Sequence, residues 1–300
     1  MRLPALRSAA AVVLLTAAAT ATYACSDSTS PRGGATAATA RAGDAGVHRQ
    51  YGTPVRLGNG RARAYAIIDQ KAGRTIELGV ALDAQAMEGL RAPDPSHDAH
   101  HDRDMFTLRL PQQHGSAFQF VELDWNPQGH GDPYTEAHFD FHFYTTSEAE
   151  RDAIMPSDPA YATKAAHDPA AADVPPFYLN PATALGIPAA AVAVPMMGMH
   201  WVDVRAPELQ GMLGHPEAAR PFTTTFIYGA WDGRLTFMEP MITRAYIMAK
   251  REGANAAARN EVIPIPTSPT YPGGAFRPDA YRIAYDPQAQ EYRIALVARD

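Results

Sequence analysis

The chain has very little cysteine and lacks the motifs of several common enzyme classes. Cys25 is the single cysteine among 300 residues, so no intramolecular disulfide and no cysteine-based zinc site can form. There is no G-x-S-x-G elbow, no P-loop, no H-E-x-x-H and no G-x-G-x-x-G followed by a helix. Any metal ion must therefore be held by histidine, aspartate and glutamate, and the sequence contains 11 histidines.

A concentrated positive charge is also missing. The 26 lysines and arginines are scattered along the chain and are outnumbered by 32 acidic residues, which gives a formal charge of -6. Nucleic-acid-binding domains usually carry a basic stripe or face. We therefore expect no nucleic-acid partner.

The N-terminus has the pattern of a secretory signal peptide over residues 1–24. Arg2 and Arg7 precede an apolar run at 9–21, which is shorter than the ~20 apolar residues of a membrane span. Cys25 follows Thr22-Tyr-Ala, and the polar segment 26–30 comes next. This arrangement resembles a bacterial lipoprotein processing site, although Thr22 stands where such sites usually carry leucine.

Export of this kind predicts a location in the cell envelope. Cys25 would become the lipidated first residue of the mature chain, and acyl chains such as palmitate would anchor the protein in a membrane on its periplasmic side. The alternative is cleavage nearby without lipidation. Without residues 1–24 the chain keeps 24 basic and 32 acidic residues, a net charge of -8.

Composition divides the mature chain in two. Residues 25–48 are rich in Ser, Thr, Ala and Gly with few bulky apolar side chains, which is typical of a flexible tether. Residues 49–300 carry the apolar periodicity. We therefore predict a single β-rich domain over 49–300.

Short alternating or β-rich runs dominate this domain. They predict strands at 63–68, 75–82, 105–110, 118–123, 138–144, 192–204, 222–228, 235–237, 281–285 and 292–296. Tight turns at 231–233 and 286–288 predict two hairpins. The fold class is therefore mainly β, a β-barrel or a sandwich-like fold, with long proline-rich loops that contain many of the 26 prolines.

Helical signals are few. Ser147 and Glu150 form a capping box that predicts a short helix ending at Ile154. Residues 241–251 predict a second helix.

The segment 138–144 is the most informative part of the sequence. On a strand, His138, Asp140 and His142 share one face, whereas the three intervening phenylalanines share the other. The phenylalanine face predicts a core. Three potential metal ligands in a row on the opposite face need a metal ion or a dense hydrogen-bond network if that face is buried.

Strand geometry restricts which ligands can share one ion. His138 and His142 lie roughly 13 Å apart along an extended strand, so an ion is most easily bound by Asp140 with one of the two histidines, and both histidines reach one ion only if the strand bends. We expect His200 and Glu239 to complete the set over Asp140. His130 is an additional candidate, or a loop residue near the site. Such mixed ligands suit zinc, iron, manganese or nickel.

Two other interpretations stay open. The histidine strand is equally compatible with a structural polar network in which each buried group has a hydrogen-bonding partner. The segment 94–104, with His97, His100 and His101, also offers ligands, but its lack of apolar residues is typical of a solvated loop.

Four blocks in order resemble an uncharacterised family of exported bacterial proteins, the TTHB-like family. The blocks are WNPQGH at 125–130 with the preceding Asp124, HFDFHFY at 138–144, MGMHW at 197–201 and EPMIT at 239–243. The resemblance implies a β-barrel-type fold and an envelope location, and it carries no established activity. Its marked positions fall on His130, His138, Asp140, His142, His200 and Glu239.

Two functional classes follow from these observations. In the first, the chain is an exported lipoprotein with a His/carboxylate metal site; if it is an enzyme, the ion activates water or polarises a carbonyl and Glu239 or Asp140 accepts a proton. In the second, it is a non-catalytic envelope binding or scaffold protein whose polar cluster is structural. The partner, a small molecule or an envelope protein, and the oligomeric state stay open.

Overall fold

The regular structure of the domain consists of two antiparallel β-sheets. The computed structural model describes residues 46–94, 96, 102–268, 270–271 and 274–299, which lie within one compact unit, residues 38–300. The strands of this part of the chain are β1 (Val47–Tyr51), β2 (Val55–Leu57), β3 (Gly60–Asp69), β4 (Arg74–Asp83), β5 (Asp104–Arg109), β6 (Phe120–Asn126), β7 (His138–Tyr144), β8 (Tyr178–Leu179), β9 (Met199–Asp203), β10 (Thr224–Trp231), β11 (Arg234–Thr243), β12 (Asn260–Pro264), β13 (Ala280–Asp286) and β14 (Glu291–Val297).

Each sheet is drawn from a different part of the chain. Sheet A contains the first four and the last three strands in the order β1-β3-β4-β14-β13-β12, with β2 paired to β3. Sheet B contains the middle strands in the order β5-β6-β7-β11-β10-β9-β8. The β13–β14 and β10–β11 hairpins predicted from the sequence are both present.

The β10–β11 turn shows why the sequence predicted it. Asp232 and Gly233 both have positive φ, 48° and 76°. Two consecutive positive φ values are typical of the tight turns that match the twist of a hairpin, and Asp-Gly is a preferred pair for them.

The main core contains apolar side chains of both sheets. Leu78, Val80 and Ile294 of sheet A belong to the same buried cluster as Phe139 and Phe141 of sheet B. Because side chains alternate along a strand, the other face of β7 points away from this core. The prediction that the phenylalanine face of 138–144 is a core face is confirmed.

The outer face of sheet B is buried as well. All seven residues of β6 and all seven of β7 are buried. A second apolar cluster lies on this face, where Tyr144 and Phe237 pack with Met197 and Phe222 from loops and with Tyr134. The loops therefore cover the polar face of β7, and this buried layer contains the candidate site.

The barrel alternative is wrong for the described residues, and the fold is sandwich-like. Sheet A has β1 and β12 at its two edges, and sheet B has β5 and β8. Strand alternation alone cannot distinguish the two architectures, because both have one buried face on every strand.

The helices are short and lie between strands. They are α1 (Glu148–Asp152), α2 (Tyr161–Ala165), α3 (Pro181–Leu185) and α4 (Arg244–Ala249). The capping box at Ser147 and Glu150 is present at the start of α1, which ends two residues before the predicted end. The second predicted helix is shorter too, since Met241 pairs with Asp140 in the sheet and only 244–249 are helical.

Two further predicted boundaries differ from the structure. Of the predicted strand 192–204, only Met199–Asp203 forms a strand. Before it, residues 195–197 form a turn that is closed by a single bridge between Val194 and Gly198. The domain predicted from the sequence begins at residue 49, whereas β1 begins two residues earlier, at Val47. Among the described residues, no helix is long and apolar enough to cross a membrane.

Candidate metal centre

The outward-facing positions of β6 and β7 carry a continuous polar array. The register places three polar pairs side by side: Glu122 with His142, Asp124 with Asp140, and Asn126 with His138. All six residues are buried. Buried polar groups need partners, so the arrangement of their charges and hydrogen bonds determines what the array can bind.

Three groups that include residues of the array have the spacing of metal ligands, and two of them share His142. In each group, one ligand atom per residue lies within 4.8 Å of the others. We name them the His142 set (His142, His200, Glu239), the Asp140 set (His130, His138, Asp140) and the Asp124 set (Glu122, Asp124, His142).

In the His142 set, one carboxylate lies between two imidazoles. His142 Nε2 is 3.5 Å from Glu239 Oε1, and His200 Nε2 is 3.7 Å from Glu239 Oε2. Neither distance is a good hydrogen bond. Both nitrogens of His142 and Oε2 of Glu239 have no hydrogen-bond partner within the described part of the chain.

A glycine on β10 makes room for this set. Gly229 pairs with His200 on one side and with Phe237 on the other. A Cβ at position 229 would lie 2.0 Å from the Phe237 ring. That ring is also 5.0 Å from the His142 ring and 5.2 Å from the His200 ring, so the close approach at Gly229 lets Phe237 pack against both imidazoles.

Burial controls the protonation of the His142 set. Burial lowers the pKa of His142 well below its usual value, and burial together with the charge of His130 lowers the pKa of His200 to about 4. Both imidazoles are therefore neutral at pH 7. Burial, with the charges of Asp140 and Asp124, raises the pKa of Glu239 well above its usual value. The charge of Arg103 opposes this shift in the pKa of Glu239 without cancelling it. Two neutral histidines beside a buried carboxyl group are a set to which a divalent ion would bring positive charge.

The Asp140 set is held more tightly by hydrogen bonds. Asp140 Oδ2 accepts a hydrogen bond from Asn126 Nδ2 at 2.8 Å and lies 2.9 Å from His130 Nε2. His138 Nδ1 lies 2.6 Å from the Glu136 carbonyl oxygen, to which it donates. Nε2 of His138 lies 3.2 Å from Asp140 Oδ1, and neither of these two atoms has a hydrogen-bond partner among the described residues.

The Asp140 set differs from the His142 set in the charge of its residues. Burial alone would raise the pKa of Asp140, but His138 and His130 hold it well below its usual value. Burial alone would lower the pKa of His138, but the charge of Asp140 raises it. Without a metal ion, His138 and Asp140 therefore form a charged pair.

The carboxylates of the Asp124 set have arginine neighbours. Glu122 forms an ion pair with Arg151, and Asp124 Oδ2 lies 3.9 Å from Arg103 Nε. Burial raises the pKa of Asp124 to about 8, although Arg103 opposes that shift. Because a guanidinium already offsets charge at both carboxylates, this set is the least suited of the three to a cation.

The distances in the His142 set agree with metal ligation. Zinc ligand bonds of about 2.0–2.1 Å in a tetrahedron place neighbouring ligand atoms roughly 3.3 Å apart. The observed separations are close to that value, 3.5 Å from His142 Nε2 to Glu239 Oε1 and 3.7 Å from His200 Nε2 to Glu239 Oε2, so each imidazole faces a different oxygen of the carboxylate. Within this set, Nδ1 of His142 has no hydrogen-bond partner among the described residues, whereas the backbone of Gly198 forms a hydrogen bond with His200. Such an outer partner is typical of metal-binding histidines.

The structure therefore divides the predicted ligands between two sets. His200 and Glu239 meet His142 and not Asp140, whereas Asp140 meets His138 and His130. His138 and His142 fall in different groups of neighbouring ligand atoms, so the structure does not bring them to one ion. Cys25, His97, His100 and His101 lie outside the described residues.

Sequence reasoning missed the polar residues of β6 as part of the site. Glu122, Asp124 and Asn126 alternate with Val121, Leu123 and Trp125 in the same way as the polar residues of β7. That alternation was a usable signal. The strand predicted at 118–123 excludes Asp124 and Asn126, which lie in β6.

Comparisons with known proteins identify part of the chain. Residues 71–125 match the family model TTHB210-like, described as Hypothetical protein TTHB210. The match confirms the resemblance to this uncharacterised family over residues 71–125, but of the four blocks it contains only Asp124 and Trp125 and leaves the others untested. The TTHB210-like segment covers β4, β5 and nearly all of β6. It includes Glu122 and Asp124 but no residue of the His142 set or the Asp140 set. No curated protein and no solved structure matches the chain.

Proposed function

We propose that the chain is an exported lipoprotein whose β-sandwich binds a divalent transition metal through His142, His200 and Glu239. The observation that carries the proposal is that one ligand atom from each of these three residues lies within 4.8 Å of the others, while both nitrogens of buried His142 and Oε2 of buried Glu239 have no hydrogen-bond partner among the described residues. Two nitrogens and one carboxylate oxygen suit zinc, iron or manganese.

The ligand count bears on what the ion does. Three protein ligands leave a fourth tetrahedral position for water or an oxygen of another molecule, as in catalytic zinc sites. His200 is the most accessible of the three, with a side chain 20% exposed, compared with 1% and 2% for His142 and Glu239. Access to an ion in this set therefore favours the His200 side.

A second candidate function is a non-catalytic envelope binding or scaffold protein. The Asp140 set favours it, because Asp140 accepts hydrogen bonds from Asn126 and His130 and pairs with His138. In that case the polar array stabilises the outer layer of the sandwich. The two functions differ in metal content, which makes them separable by experiment.

Removing one ligand tests the metal function. We expect His200→Ala to lower the metal content of the full chain by about one equivalent relative to wild type, because a two-residue remnant binds an ion poorly. Elemental analysis after gel filtration measures this. If the polar array is only structural, the same change instead costs about 1–3 kcal/mol of unfolding free energy with no change in metal content.

The matched control is His167→Ala. His167 Nδ1 also lies close to a carboxylate, 2.9 Å from Asp232 Oδ1, but its side chain is 62% exposed. Its removal should leave metal content unchanged. Equal metal content in the wild type and in both variants would contradict the proposal.

Localisation has a test of its own. We propose that a lipid on Cys25 attaches the protein to a membrane of the cell envelope, with residues 25–48 as the tether; the export pattern of residues 1–30 supports this. Cys25→Ser should move the protein from the membrane to the soluble fraction without changing its melting temperature. Ser28→Ala, three residues away, should stay in the membrane fraction. Membrane retention of the Cys25→Ser protein would rule out the lipid anchor.

A further inference from the structure

The Asp140 set has features of a second metal site that the function proposed above does not use. Asp140 and His138 are 2% and 0% exposed, and Asp140 Oδ1 and His138 Nε2 have no partner among the described residues apart from each other. These two atoms face each other at 3.2 Å. That separation is close to the roughly 3.3 Å between neighbouring ligands of a tetrahedral ion.

The surroundings of these atoms fix them in a ligating orientation. The Glu136 carbonyl oxygen accepts the Nδ1–H of His138 at 2.6 Å, which leaves Nε2 as the ring atom turned toward Asp140. Asn126 Nδ2 holds the other carboxylate oxygen of Asp140 at 2.8 Å. Outer hydrogen bonds of both kinds are typical of metal sites, because they fix the tautomer of the imidazole and the orientation of the carboxylate.

His130 supplies a third ligand from a different element. It lies in the loop between β6 and β7, where its Nε2 is 2.9 Å from Asp140 Oδ2 and its ring is 4.6 Å from the His138 ring. Its side chain is 22% exposed, whereas those of His138 and Asp140 are 0% and 4% exposed. Solvent therefore reaches this set on the His130 side.

One ion cannot serve both sets. His138 and His142 are roughly 13 Å apart along an extended strand, and their ring nitrogens fall in different groups of neighbouring ligand atoms. The His142 set draws its other two ligands from β9 and β11, and the Asp140 set draws its third from the β6–β7 loop. The two sets share no residue.

We propose that the protein binds two divalent transition-metal ions side by side along β7, one in the His142 set and a second one in the Asp140 set. This inference rests on the function proposed above for the His142 set and adds an independent ion. The second site has two imidazoles and one carboxylate, as the first has, so zinc or another borderline metal of the same class suits both.

The test is the stoichiometry of zinc bound by the metal-depleted full chain, measured by equilibrium dialysis and elemental analysis. We expect about two equivalents for wild type, about one for Asp140→Asn, about one for Glu239→Gln and none for the double variant. His167→Ala is the control and should bind about two. His130→Ala, a change in a partly exposed loop residue, repeats the test of the Asp140 set if Asp140→Asn fails to fold.

The outcomes separate the two proposals. About one equivalent in wild type that Glu239→Gln abolishes, and that His130→Ala and Asp140→Asn leave intact, would overturn the second site while the function proposed for the His142 set stands. No bound zinc in wild type would overturn both. One equivalent that is lost with either set would also overturn the inference, because the two sets would then act on a single ion.

Discussion

Replacing Arg151 by methionine is expected to lower the free energy of unfolding by about 3–5 kcal/mol, because it leaves the buried carboxylate of Glu122 without its partner. Both side chains of this ion pair are buried, at 7% and 1% exposure. Methionine keeps an unbranched apolar chain but loses the guanidinium, whose carbon lies 5.3 Å from the centre of the Phe120 ring, so the change removes the charge together with this cation–π contact. Urea unfolding of the full chain measures the loss.

Two variants make this result specific. Glu122→Gln in the Arg151→Met background should recover most of the loss, since an unpaired buried charge is then absent. Arg109→Met removes an arginine from an exposed ion pair with Glu148 and should cost at most about 1 kcal/mol. A similar small loss for Arg151→Met, or no recovery in the double variant, would contradict the idea that the outer face of sheet B contains desolvated charges.

Phe141→Ala is expected to destabilise the sandwich by about 3–5 kcal/mol without changing metal content. Phe141 is fully buried in the core between the sheets, while its neighbours Asp140 and His142 face the opposite side of β7. Removal of the ring leaves a cavity in that core and takes no atom from either ligand set. Urea unfolding and elemental analysis measure the two effects separately.

The exposed Phe177 is the matched control for Phe141. It is 56% exposed, and Phe177→Ala should change the unfolding free energy by no more than about 0.5 kcal/mol. Loss of metal together with the stability loss in Phe141→Ala, at a temperature where the variant is folded, would mean that the two faces of β7 are not independent.

The period-two pattern explains why the histidine strand was predictable. Three polar residues that alternate with three phenylalanines fix both faces of β7, whatever the rest of the fold. The tight turns at 231–233 and 286–288 likewise identified the β10–β11 and β13–β14 hairpins, because the flanking runs alternate and Asp-Gly or Asp-Pro breaks them.

Long-range pairing explains what the sequence left undetermined. Neither the order of strands in sheet B nor the position of Gly229 beside Phe237 can be read from local patterns, yet both decide that His200 reaches Glu239 and not Asp140. The sequence did not exclude the barrel alternative for the same reason, since only strand pairing reveals the edges of the two sheets. The prediction of a helix at 241–251 is wrong for its first residues, because Met241 pairs with Asp140 in the sheet and this pairing overrides local propensity.

The most direct measurement is the metal content of the full chain purified without a histidine tag, combined with its melting temperature before and after treatment with a chelator. We expect at least about one equivalent of a transition metal and a lower melting temperature once the ion is removed, because an ion bound only by the folded state stabilises it. Less than about a tenth of an equivalent, with a melting temperature that the chelator does not change, would contradict metal binding and leave the buried array as a structural network.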